Sequence, residues 1–111
     1  RLQPMIYHLA THSQWLEALN KGVYTHASLK AEGFIHCSTK EQLIPTATLH
    51  FQQDQELVIL EIVEKRVKDM LKWEESREGD LFPHLYGKLP LSVVENTHLL
   101  IRNKAGEWEW S

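Results

Sequence analysis

Three of the seven histidines stand in matched surroundings. His8 in "YHLAT", His36 in "IHCST" and His84 in "PHLYG" each lie at the polar end of an apolar extended segment, beside small or turn-forming residues. The same segments carry Thr11, Ser38, Thr39 and Tyr86. An imidazole donates or accepts a hydrogen bond and moves a proton near neutral pH. Hydroxyls add donors and acceptors, and a tyrosine ring offers a flat face for a base. Such a set suits ribose hydroxyls and phosphate oxygens, so the three segments are expected to meet in one cleft. His12, His26, His50 and His98 lack this setting and read as surface or packing residues.

Two rival chemistries are weaker in the sequence. Zinc sites commonly show tight pairs such as H-x-H or H-E-x-x-H, and His8, His36 and His84 form none; no metal is expected. Cys37 adjoins His36, but neighbours on a strand point to opposite faces, so His36 is badly placed to activate the thiol. A buried, inert cysteine is expected. Among the carboxylates, Glu61 interrupts an otherwise apolar run, and Glu74 follows Trp73 near a strand end from which it could reach the cleft.

The elements that must position these groups follow from pattern. Met5–Ala10 alternates as a strand. Thr11 and Gln14 have capping-box spacing, which opens a helix carrying Trp15, Leu16 and Leu19 and closed by Gly22. Ser28 is expected to cap a short turn that Gly33 ends. Phe34–Ser38 alternates again, with Ile35 and Cys37 on one face and Phe34, His36 and Ser38 on the other. Thr39 and Gln42 repeat the cap ahead of Leu43, Ala47 and Phe51; Pro45 inside that helix would cost about 3 kcal/mol, which implies a kink or a late start. Glu56–Val63, "ELVILEIV", reads as a central strand covered on both faces. Val67–Leu71 suggests a helical turn, "LKWEE" a brief strand, and Arg77–Asp80 a loop. Leu81–Leu91, with Pro83, Gly87 and Pro90, allows short edge-like pieces, and His98–Arg102 with Glu107–Trp110 a closing hairpin. The tally is two main helices and about six short strands, an α+β fold.

At 111 residues the chain suits one domain, read as 5–111 after a short extension at 1–4. Net charge is −3, and the sole basic cluster, Lys65, Arg66 and Lys68, runs straight into Asp69, so neither nucleic acid nor an anionic membrane is an expected partner. A single cysteine excludes an internal disulfide and is compatible with a reducing cytosol, the expected location.

Together "IYHLA", "SLKAEGFIHCSTKEQ", "LVILEI", "KWE" and "FPHLYGKLPLSVV" resemble, in order, the domain-of-unknown-function family 952. A more distant similarity is to the NAD-binding core of ADP-ribosyltransferases, particularly the RNA 2′-phosphotransferase branch. There a strand ending in His-small-Thr precedes a hydrophobic-His-x-Ser strand, which maps onto His8 with Thr11 and onto His36 with Ser38. Ala10 stands where those enzymes often carry Gly, and neither the branch's arginines nor the catalytic glutamate of classical transferases has a motif match. The resemblance implies a split-sheet core and a nucleotide ligand, NAD or a relative. His8 would orient a ribose, with Thr11, His36, Ser38, His84 and Tyr86 around the ligand. In an ADP-ribosyltransferase-like or glycohydrolase-like enzyme, His8 and His36 would act with Glu74 as the carboxylate. The alternative is a non-catalytic nucleotide or small-ligand binding module, and a carboxylate directed into the cleft separates the two.

Overall fold

Met5–Ala10 forms strand β1, and its alternation is used on both faces: Ile6 and Ala10 enter one buried cluster, Tyr7 and Leu9 another. The computed structural model describes residues 3–111, so the first half of the expected extension, Arg1 and Leu2, lies outside the described residues. Thr11 caps helix α1 (His12–Lys21) through both halves of the capping box with Gln14, and Gly22 closes it at φ 80°, a turn that costs little without a Cβ. The expected buried stripe is rotated. Trp15 and Ala18 pack inward, whereas Leu16 and Leu19 are exposed. The small Ala18 lets the helix sit close to the sheet, and the rotation that buries it turns both leucines outward.

Two residues, Val23–Tyr24, make β2; helix α2 (Ala27–Glu32) follows and Gly33 ends it at φ 93°. Its cap is His26 rather than Ser28, because the imidazole accepts the Ser28 N–H. Strand β3 (Ile35–His36) precedes a 3-10 turn at Lys40–Gln42, capped by Thr39, and then α3 (Leu43–His50). Pro45 falls in the first turn of α3, where backbone N–H groups lack an intrahelical partner in any case, so the late start removes its penalty. Strand β4 (Glu56–Val63) is buried along its length except at Glu56 and Glu61. The helical turn expected at Val67–Leu71 lies earlier, at Glu64–Val67. Then come β5 (Leu71–Glu75), β6 (Leu81–Leu85), β7 (Leu89–Pro90), β8 (Val94–Arg102) and β9 (Trp108–Trp110).

The result is a small α+β domain with curled antiparallel sheet; the described residues form nine strands rather than about six, in part because β2 and β7 pair only with each other over two residues. One sheet runs β1-β4-β8-β9 and another β3-β6-β5. Tyr7 and Ser38 join them by exchanging both backbone bonds, at 2.9 and 2.7 Å. β6 is therefore a central strand, not an edge. Pro83 is tolerated there because the sheet uses only its carbonyl, which accepts the Cys37 N–H at 3.0 Å. Among the described residues, no helix is long and apolar enough to cross a membrane.

Candidate functional site

A cavity of about 390 Å³ opens beside the Tyr7–Ser38 junction, within the range of about 300–1,000 Å³ usual for small-ligand sites. Strand alternation explains its wall. Ile35 and Leu85 pair across β3 and β6 and face the core, so the next pair, His36 and His84, faces away from it. His8, His36, Ser38 and His84 all line this one cavity. The three segments do meet.

The histidines are not equivalent once there. His8 shares the inward face of β1 with Ile6 and Ala10 and is only 4% exposed. Its Nδ1 lies 2.6 Å from the His36 carbonyl and its Nε2 2.7 Å from the Tyr24 hydroxyl. A carbonyl only accepts, so Nδ1 carries the proton and Nε2 accepts from Tyr24. Burial pushes the His8 pKa down from 6.5 to about 4, so the ring is neutral near pH 7. Both nitrogens are spent inside the protein, which leaves His8 a ring edge rather than a free hydrogen bond for a ribose.

His84, 5% exposed, is held differently. Its Nδ1 donates to Oε1 of Glu74 at 2.7 Å, and the Tyr86 hydroxyl donates to the same oxygen at 2.6 Å. Phe34 stacks on the ring at 4.1 Å. Nε2 is buried without a hydrogen-bond partner, an arrangement that costs about 1–3 kcal/mol in a folded protein. The Tyr86 and His84 bonds hold the Glu74 carboxyl below its ordinary pKa, in that order of size, and Glu74 in turn raises the Tyr86 phenol. Neither Glu74 nor Tyr86 lines the cavity, so both touch it only through His84, a correction to their expected places around the ligand. The carboxylate that does reach the cavity is Glu32, whose oxygens sit 3.2 Å from Nε2 of the exposed His36.

Thr11 is also displaced from the expected set. Its hydroxyl accepts the Gln14 N–H as the cap of α1, and it does not line the cavity. His26 and His50, read from the sequence as surface or packing residues, do line it, and so does Arg77, which no pattern placed there. His26 accepts from Ser28 through Nδ1, so its neutral ring carries a proton on Nε2; burial first, then His36, lowers its pKa. Arg77 lies over the Phe82 ring at 4.9 Å and donates to Thr46 Oγ1 at 2.5 Å. That bond uses one of five guanidinium donors, and among the described residues no carboxylate forms an ion pair with Arg77. A polar loop between two strands was the available signal for it. Cys37, 3% exposed, has its thiol pKa pushed up by burial. Among the described residues no set of three His, Cys, Asp or Glu side chains is placed to hold a metal ion.

A family model described as "Protein of unknown function (DUF952)" matches residues 9–97, a span that holds every cavity residue from Leu9 to His84. The chain belongs to this family. Its fold is similar to that of protein CC0527 from Caulobacter crescentus, whose crystal structure matches with a TM-score of 0.86 at 35% identity over 95% of this chain and 93% of that one. The solution NMR structure of CC0527 matches with a TM-score of 0.81 at 36% identity, over 93% and 90% of the two chains. No curated protein matches the DUF952 chain.

Proposed function

We propose that the cavity binds NAD or a related nucleotide, and that the protein is an ADP-ribosyltransferase-like or glycohydrolase-like enzyme. The observation that carries the reading is Arg77. Held by Phe82 and Thr46 on the wall that also receives His26, Ser38 and His84, it offers unpaired donors to phosphate oxygens. Neutral imidazole and hydroxyl groups beside it suit ribose. Two separate sheets, joined beside His8 by a single bridge, are in keeping with a likeness to the split core of ADP-ribosyltransferases. A single free cysteine fits a reducing cytosol, where we place the protein.

A non-catalytic binding module is the second reading. It is favoured by His8 being fully hydrogen-bonded within the protein and by the cavity's one lining carboxylate, Glu32, being engaged with His36 while Glu74 lies outside. Titration calorimetry with NAD and ADP-ribose tests the shared part. Wild type is expected to bind one equivalent, and Arg77→Ala to bind about tenfold or more weakly, the loss of a charge-assisted bond of about 1.5–3 kcal/mol. No heat of binding at millimolar ligand sinks the nucleotide reading.

A further inference from the structure

We infer that Nε2 of His84 is the atom that takes the proton from the group attacking the bound nucleotide, with Glu74 and Tyr86 as positioning residues. This rests on the nucleotide reading above and names the base of the same site.

Elimination and geometry agree on His84. Both nitrogens of His8 are engaged, by the His36 carbonyl and by Tyr24. His26 accepts from Ser28 through Nδ1, which makes its other nitrogen a donor. Nε2 of His36 is exposed and turned to Glu32. His50 is exposed at the end of α3. His84 alone combines burial, a carboxylate on Nδ1 and an unpartnered Nε2. Glu74 fixes the tautomer whose Nε2 presents a lone pair, and Phe34 stacked on the ring holds its plane. Glu74 stays in place because Tyr86 donates to the same oxygen.

The step balances without a further reagent. A water or alcohol oxygen forms a bond to the anomeric carbon of the nicotinamide-bearing ribose. The carbon–nitrogen bond breaks with its electron pair going to the nicotinamide nitrogen, which leaves as a neutral ring. The attacking O–H proton passes to Nε2 of His84, and the imidazolium so formed lies against the Glu74 carboxylate until it releases the proton to water. Glu74 therefore supplies the negative charge that a glycosidic step needs, through the imidazole rather than by contact with substrate.

The groups facing the ring are Glu74 and Lys72 from β5, His36 from β3 and Tyr86 just beyond β6, and of these Glu74 bonds to it. Two variants separate the roles. His84→Asn is expected to bind ADP-ribose within a few-fold of wild type and to lose about a hundredfold or more of nicotinamide release from NAD, the usual worth of a general base. Glu74→Gln, at a partly exposed position that makes folding failure a small concern, is expected to keep binding. It should lose less turnover and move the acid limb of the pH–rate profile to lower pH, because the imidazolium loses its counter-charge. His12→Ala, whose ring pairs with Glu56 away from the cavity, serves as the control and should behave as wild type. If ADP-ribose binds but wild type releases no nicotinamide, or if His84→Asn and Glu74→Gln turn over like wild type with an unmoved profile, the inference is overturned and the binding reading stands. If neither NAD nor ADP-ribose binds wild type, both fall.

Discussion

His8 donates its Nδ1–H to the backbone carbonyl of His36 at 2.6 Å, across the seam where β1 and the segment after β3 share a single bridge at Tyr7 and Ser38. A side chain here supplies the pairing that a longer ladder would otherwise give. The histidine that looked most like a ligand group in the sequence is thus part of the frame that holds the two sheets together beside the cavity.

That role has a pH signature. The His8 pKa falls from 6.5 to about 4 on folding, so between those values the unfolded chain binds more protons than the folded one. The contribution is fully present above about pH 6.5 and is lost progressively as pH falls toward 4, to a total of about 3 kcal/mol. Urea unfolding midpoints measured at steps from pH 7 to pH 4 should fall more steeply for wild type than for His8→Gln. His8→Ala should itself destabilise by about 2–4 kcal/mol, since it leaves a cavity and two buried partners unpaired. Parallel pH curves for wild type and His8→Gln would contradict the neutral, buried assignment.

Thr11 separates capping from binding. Its hydroxyl accepts the Gln14 N–H while Gln14 reaches back to the Thr11 N–H at 2.9 Å. Thr11→Ala should cost about 1 kcal/mol of stability in thermal or urea unfolding. Because Thr11 does not line the cavity, affinity for ADP-ribose should be unchanged. A loss of affinity as large as that of Arg77→Ala would return Thr11 to the binding set.

How much of this was legible depended on whether a residue's neighbours in sequence were also its neighbours in space. β1 and β4 have the bounds that their apolar patterns set, and α1 and the 3-10 turn at Lys40–Gln42 begin at their capping boxes, because strand period and cap chemistry are local. The β2–β7 pair was invisible, since two residues carry no period and their partners lie far along the chain. β6 read as an edge because Pro83 argues against a central strand; nothing local announces that only its carbonyl is used. In the cavity, the residues that share a strand-end format were found together. His26 arrives as a helix cap, His50 from a helix end and Arg77 from a loop, so no common pattern linked them. Glu74 and Tyr86 were expected at the ligand itself but lie outside the cavity, and their contact with His84 depends on strand register, which is a three-dimensional property.

Cys37 offers a direct probe of packing. Its side chain belongs to the cluster with Ile35 and Leu85, and burial raises its pKa, so little thiolate forms near pH 8. Iodoacetamide should label the native protein far more slowly than the urea-unfolded chain. Equal rates would mean that the strand around Ile35 opens readily and that the wall carrying His36 and Ser38 is not the fixed surface described above.

The bond between Tyr86 and Glu74 predicts two linked titrations. Donation from Tyr86 is the largest influence holding the Glu74 carboxyl below its ordinary 4.5, and the same bond is the largest influence raising the Tyr86 phenol above 10.0. Linkage requires each group to respond to loss of the other. Tyr86→Phe should therefore move the Glu74 titration upward, read from its side-chain carboxyl carbon by NMR, and Glu74→Gln should bring the Tyr86 ionisation down toward 10.0, read by phenolate absorbance. Because the folded-state pKa of Glu74 is depressed, its stabilising effect is present above about pH 4.5 and disappears as pH falls through the lower folded value; in Tyr86→Phe the folded value lies nearer 4.5, so the loss should begin at the same pH, end at a higher one and be smaller in total. A Glu74 titration unaltered by Tyr86→Phe would mean that the phenol does not hold the carboxylate in solution, and that His84 alone orients it.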